Sequence, residues 1–128
     1  VEKAKNMLDK IKYGKGGLND IEFLIQYLVL LNSNKYTKLA DIKDISVPGI
    51  ILEFKNLNIL SKSQSHDLLL AYNVYREFLM EYILSETSFD GLNKGDDLYM
   101  EYNIKKDFDV SSIEKHKQLV LDIFKKIV

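Results

Sequence analysis

Apolar residues recur at spacings of three and four along almost the whole chain, and this period constrains the fold more than any other feature. The clearest run lies between residues 63 and 86, where it includes Leu68, Ala71, Tyr72, Tyr75, Phe78, Leu79 and Tyr82. Such a period places side chains on one face of an α-helix, whereas the alternating patterns typical of strands are scarce. Pro48 is the only proline in 128 residues. The sequence therefore predicts an all-α domain.

The same period predicts about six helices packed as a single helical bundle over 1–128. They are expected over about 1–11, 20–31, 48–58, 63–86, 98–106 and from 111 or 112 onwards. Segment 20–31 is apolar on nearly every side, so we expect it to be buried at the centre of the bundle. Residues 1–18 are interpreted as a lead-in helix with a glycine-rich turn, and 87–110 as a loop-rich connection.

Residues with suitable capping chemistry stand at the start of three of these segments. Asn19 or Asp20 can accept hydrogen bonds from the free N–H groups of the second helix, and Ser61 or Ser63 from those of the fourth. Pro48 suits the first turn of the third helix, because its missing N–H would have no partner there.

Composition argues against several classes of protein. The chain is 46% hydrophobic and 29% charged, which suits one globular domain and argues against disorder. A formal net charge of −1 gives no electrostatic reason to expect nucleic acid or an anionic membrane as a partner. No apolar run is long enough for a membrane-spanning helix, and the absence of cysteine removes disulfides and thiolate metal sites. The first residue is Val1, so we expect the chain to begin inside a longer polypeptide.

Three glycines lie directly before the apolar segment 20–31, in the run Tyr13-Gly14-Lys15-Gly16-Gly17. Free backbone N–H groups at the positive end of a helix dipole suit an anion such as phosphate. The spacing differs from that of a P-loop, which ends in Gly-Lys-Ser/Thr. From the residues alone, a tight turn that lets helices pack closely is the favoured alternative.

Glu22 and Gln26 are polar residues one turn apart in the otherwise apolar second helix. Burial of a carboxylate is costly unless the group is paired. Glu22 is therefore expected either to reach a cleft or to meet a cation in the core, and Arg76, the only arginine, is the candidate partner. From the residues alone, Asp20 is expected to be a helix cap. The two histidines are isolated, so no metal site is predicted.

From Ile11 to Leu30 the sequence resembles a known family. A lysine, a glycine pair, an acidic residue, Ile-Glu-Phe and Gln are typical of the segment after a nucleotidyltransferase domain in glutamine synthetase adenylyltransferase, the bifunctional adenylyltransferase/adenylyl-removing enzyme. The matching residues are Lys12, Gly14, Gly16, Gly17, Asp20, Glu22, Phe23 and Gln26. The run Ala-Tyr-Asn-Val-Tyr-Arg-Glu-Phe-Leu around Arg76 is similar to the family's long helix. The pattern is closer to the C-terminal, adenylylating half of that enzyme.

The resemblance implies the helical domain of a bacterial, cytoplasmic enzyme of nitrogen metabolism, which moves AMP from ATP to a tyrosine of glutamine synthetase and removes it again. It implies ATP and magnesium as cofactors of the parent enzyme, none of them bound by this chain alone. It implies an upstream nucleotidyltransferase domain, glutamine synthetase and the PII protein as partners. The family's metal-binding Asp-x-Asp after a Gly-Ser turn is missing, since Asp107 and Asp109 lack the Gly-Ser. We therefore expect this chain alone to be inactive.

By the same resemblance, the segment from Lys12 to Gln26 closes one side of the active-site cleft. Asp20 or Glu22 is expected to face the metal-bound nucleotide or to orient Arg76, and Gln26 to support them. The residues expected to contact the nucleotide are Lys12, Gly16, Gly17 and Arg76, with Lys12 and the two glycine amides holding phosphate.

Two alternatives remain at this point. The chain can be an interaction module that binds the PII protein, glutamine or glutamine synthetase and carries no active-site residue. It can also be the helical region of a related uridylyltransferase that modifies PII, although the motif around Asp20 fits that enzyme less well.

Overall fold

The computed structural model describes residues 2–34, 46–88 and 110–128. These residues form five helices and no strand: α1 Glu2–Tyr13, α2 Leu18–Asn32, α3 Val47–Asn56, α4 Lys62–Ser88 and α5 Val110–Ile127. The prediction of an all-α fold is confirmed. The helix expected over 98–106 and most of the connection expected over 87–110 lie outside the described residues.

Helices α3 and α4 begin where side chains accept hydrogen bonds from their first free N–H groups. The Ser46 hydroxyl accepts the Gly49 N–H at 3.2 Å, with proline in the first turn as expected. Ser61 and Gln64 form a capping box, in which each side chain accepts the backbone N–H of the other residue at 3.0 Å. The first of the two candidate serines is therefore the cap of α4.

Helices α2 and α4 lie at the centre of the bundle, because each contacts all four other described helices. The buried side chains of α2 are Leu18, Ile21, Leu24, Ile25 and Leu28. Those of α4 include Leu68, Ala71, Tyr75, Phe78 and Leu79. The other helices and the turn before α4 complete the core with Ile11, Ile51, Phe54, Leu60, Ile113, Val120 and Ile123.

One side of α2 is exposed, which corrects the expectation of a helix buried all round. Phe23 is 53% exposed and Leu30 77% exposed, and Glu22 and Gln26 are exposed on the same side of the helix. We call these four residues the exposed α2 face. Leu30 contributes little to the core of this domain, whereas Phe23, although half exposed, contacts the ring of Phe124.

Helices α2 and α5 run in the same direction. Gly16, just before α2, packs against the backbone of Lys117, and the rings of Phe23 and Phe124 lie 5.9 Å apart between centroids. From the first contact to the second, the chain advances from Gly16 to Phe23 on one side and from Lys117 to Phe124 on the other. The two segments advance in the same direction by the same number of residues, as in parallel helices. The turn before α2 therefore lies beside the first half of α5. No helix among the described residues has the length and apolar character needed to span a bilayer.

Candidate functional site

The glycine loop, residues 14–17, joins α1 to α2 and satisfies its glycine amides internally. The Gly14 N–H donates to the carbonyl of Lys10, and the Gly17 N–H to that of Gly14, each at 3.0 Å. The Gly16 N–H donates to a carboxylate oxygen of Asp20 at 2.7 Å. The loop is therefore built by hydrogen bonds within this chain.

All three glycines of the loop lie in close approaches of backbone to backbone, and a Cβ at Gly14 would collide with the carbonyl of Lys10. Gly16 has a φ of +79°, a left-handed conformation that side chains disfavour. A Cβ at Gly16 would collide with the carbonyl of Lys117, and one at Gly17 with the carbonyl of Ile11. The geometry thus agrees with the alternative of a tight turn and close helix packing.

Tyr75 of α4 holds the loop from the other side. Its side chain is fully buried, and its hydroxyl donates to the carbonyl of Gly16 at 2.8 Å. Burial, with a smaller effect from the negative charge of Glu114, raises the pKa of the Tyr75 phenol well above its ordinary value. The hydroxyl is therefore a permanent donor to Gly16.

Sequence patterns place Tyr75 on an apolar stripe and do not identify this bond. The sequence indicates only that a tyrosine on a buried helix face needs some hydrogen-bond partner for its hydroxyl. The partner lies far away along the chain, so only the fold reveals it.

Lysine ammonium groups lie near the loop. The ammonium of Lys117 lies 3.0 Å from the position that a Cβ on Gly14 would take, so the missing side chain makes room for it. The ammonium of Lys12, at the end of α1, lies 5.9 Å from the centroid of the Tyr13 ring. Positive charge therefore reaches the loop from Lys117 of α5, and the ammonium of Lys12 lies beside the Tyr13 ring at the end of α1.

Asp20 lies in the first turn of α2, and its cap function differs from the expected one. The N-cap residue of α2 is Gly17, which has no side chain to accept a hydrogen bond, so neither Asn19 nor Asp20 occupies that position. Asp20 instead reaches back to the N–H of Gly16, the same direction in which the acidic residue of a capping box reaches. Its carboxylate thereby stabilises the loop and the positive end of the helix together.

Glu22 and Arg76 do not form the buried ion pair that was one expectation for them. Both side chains are exposed, and within the described parts of the chain no ion pair joins them. An exposed carboxylate keeps its hydration and needs no cation partner. Glu22 and Gln26 instead lie on the exposed α2 face, and Arg76 on the surface of α4.

The structure brings Gly16, Gly17 and Asp20 together, but the two glycine amides predicted to hold phosphate already donate within the chain. Lys12 is half-buried. Among the residues that the structure describes, no three acidic or histidine side chains are grouped so as to hold a metal ion. One oxygen of Asp20 is occupied by Gly16. These residues therefore do not fit a magnesium site by themselves.

Comparison with known proteins finds several enzymes to which part of the chain is similar. The chain is 33% identical over 66 residues to the bifunctional glutamine synthetase adenylyltransferase/adenylyl-removing enzyme of Idiomarina loihiensis, covering 52% of this chain and 7% of that enzyme. It is 38% identical over 52 residues to that of Shewanella oneidensis, covering 40% of this chain and 6% of the enzyme. The corresponding match in Nitrosococcus oceani is 33% identical over 81 residues, 58% of this chain and 8% of the enzyme.

The chain thus spans less than a tenth of the length of these relatives. No family model matches it, and neither does any solved structure. The resemblance to this family is confirmed: over about half its length, the chain is similar to the glutamine synthetase adenylyltransferase/adenylyl-removing enzymes.

Proposed function

We propose that the chain is the helical domain that adjoins a nucleotidyltransferase domain in a glutamine synthetase adenylyltransferase. The parent enzyme would transfer AMP from ATP to a tyrosine hydroxyl of glutamine synthetase and remove it, as part of nitrogen regulation in the cytoplasm. Glutamine synthetase, the PII protein and the nucleotidyltransferase domain would be its partners.

The position of the motif residues is the observation that carries this proposal. Glu22, Phe23 and Gln26 belong to the motif that resembles the family, and all three are exposed. The buried residues of α2 lie on the opposite side of the helix, and of these three side chains the Phe23 ring contacts Phe124 of α5 within the domain. A polar and aromatic stripe on the surface suits contact with a neighbouring domain, its nucleotide or its substrate.

In this proposal the exposed α2 face and the glycine loop line one side of the active-site cleft. Glu22 faces the nucleotide, and Arg76 supplies a cation on the neighbouring helix. Phosphate contact falls to Lys12, because the Gly16 and Gly17 amides would have to give up their present acceptors. The magnesium ions and the metal-binding carboxylates belong to the nucleotidyltransferase domain, and no step passes through a metal on this chain.

Replacement of Glu22 by alanine in the full-length protein tests the proposal. Because Glu22 is exposed, its loss should leave the unfolding midpoint unchanged, while AMP transfer to glutamine synthetase should fall at least about tenfold. Glu77→Ala removes an equally exposed carboxylate from α4 and should leave transfer unchanged. Full activity in Glu22→Ala, or an equal loss in both variants, would contradict the cleft role.

A second function is favoured by the apolar end of α2. Leu30 and Leu31 are 77% and 62% exposed. Large apolar side chains exposed side by side favour contact with a partner over a purely internal packing role. As an interaction module, the chain would bind the PII protein, glutamine or glutamine synthetase without contributing to catalysis. Titration of the full-length protein with each of these, with and without nucleotide, separates the two functions. Binding that Leu30→Ala abolishes while Glu22→Ala leaves transfer intact would favour the module.

A further inference from the structure

The carbonyl and the N–H of Gly16 are both hydrogen-bonded to side chains of the neighbouring helices. Its carbonyl accepts the Tyr75 hydroxyl of α4 at 2.8 Å, and its N–H donates to Asp20 of α2 at 2.7 Å. Gly16 itself has a positive φ and no side chain that could hold it by packing. The orientation of this part of the loop therefore depends on these two bonds and on its contact with Lys117.

The orientation of the glycine loop determines the position of the first turn of α2. The Ile21 N–H donates to the carbonyl of Gly17 at 3.2 Å, so Gly17, the residue after Gly16, is the N-cap of α2. Asp20 lies in the first turn, and Glu22 begins the exposed α2 face immediately after it. A shift of Gly16 would therefore move Asp20 and the start of that face.

We propose that Tyr75 is a positioning residue for nucleotide transfer: its hydroxyl fixes the glycine loop so that Asp20 and the exposed α2 face keep one orientation. Because Tyr75 is fully buried and its hydroxyl bonds to Gly16, it would act through the glycine loop. The inference rests on the proposed function for its catalytic consequence. Its structural consequence, a loop held by the hydroxyl, is measurable without any activity.

Tyr75→Phe and Tyr72→Phe in the full-length protein make a matched pair. Each variant loses one hydroxyl from α4. Tyr72 is half-buried and packs against the core, and no hydrogen bond of its hydroxyl occurs among the described residues. We expect Tyr75→Phe to lower kcat for AMP transfer about tenfold while KM for ATP stays within about twofold. Tyr72→Phe should change neither constant.

Amide hydrogen exchange supplies the readout that is independent of activity. The Gly16 and Gly17 amides should exchange at least about tenfold faster in Tyr75→Phe than in Tyr72→Phe, because the loop has lost its anchor. Para-aminophenylalanine at position 75 keeps the ring and a donor, and should restore both slow exchange and kcat. This rescue also decides the matter if Tyr75→Phe is too unstable for the assay.

Three outcomes overturn the inference: unchanged exchange in Tyr75→Phe, faster exchange with unchanged kcat, or failure of the amino-substituted ring to restore kcat. If the unmodified protein transfers no AMP, the proposed function fails instead. In that case the exchange rates still decide whether Tyr75 holds the loop.

Discussion

At Gly16 three constraints meet on a single residue. Its φ is positive, its Cα lies against the carbonyl of Lys117, and its own peptide groups bond to Tyr75 and Asp20. Any side chain would have to push α5 away from the loop while straining the backbone. Gly16 is therefore a structural requirement of the domain, whatever part the loop plays in function.

Gly16→Ala should lower the free energy of unfolding by about 2 kcal/mol or more, since it combines backbone strain with overpacking. Lys15→Ala is the matched control, because Lys15 is the exposed neighbour in the same loop and should change stability by less than about 0.5 kcal/mol. Urea denaturation of both variants measures the difference. Equal free energies of unfolding for the two variants would mean that α5 can move away from Gly16 at little energetic cost.

Single residues show where sequence reasoning succeeds and where it stops. The glycine run predicts a tight turn correctly, because the conformational demand is local. The bond between Tyr75 and Gly16 could not be predicted, because it joins parts of the chain that only the fold brings together. Glu22 was ambiguous for the same reason: its position in an apolar helix does not reveal which side of that helix the core uses.

Among the elements, α3 and α4 begin at residues whose local chemistry predicts a helix start. The sequence predicts Pro48 in the first turn of α3 and Ser61 or Ser63 as the cap of α4. The structure adds the caps Ser46 and Gln64, which sequence reasoning did not identify. Helix α2 is different, because Gly17 caps it without a side chain. Its first residue is therefore Leu18, ahead of the predicted Asn19 or Asp20 caps.

Ser61→Ala should lower the free energy of unfolding by about 1 kcal/mol, because one side of the capping box is lost and the Gln64 N–H loses its acceptor. Ser63→Ala offers the control, since Ser63 is exposed and alanine is a better helix former than serine. Thermal or urea unfolding of both variants tests this. If Ser63→Ala were the more destabilising of the two, the cap of α4 would be assigned to the wrong serine.

At the scale of the whole molecule, packing between distant helices decides the fold. Helix α5 packs mainly on α4, and its residues Ile113, Val120 and Ile123 complete the core. The apolar period predicts that α5 has a buried face, but not that α5 runs parallel to α2 or lies against the glycine loop. Packing of this kind is not visible in local patterns, since it depends on the whole set of helices.

We expect His116 to make the stability of this packing depend on pH. Its Nδ1 atom is buried and has no hydrogen-bond partner among the described residues. Burial, followed by the positive charge of Lys115, lowers the His116 pKa below its ordinary value of 6.5, while Asp67 of α4 opposes the shift. Protonation would place an N–H without an acceptor inside the packed region.

Because the pKa of His116 is lower in the folded state than in the unfolded state, the unfolded chain binds the proton more readily. Above pH 6.5, His116 should therefore not change the free energy of unfolding with pH. As the pH falls from 6.5 towards the lowered pKa of His116, the free energy of unfolding should decrease. Urea denaturation between about pH 7.5 and 5.5 measures this slope. His116→Phe should flatten it, because it removes the titrating group. A slope that survives His116→Phe would assign the pH dependence to another group.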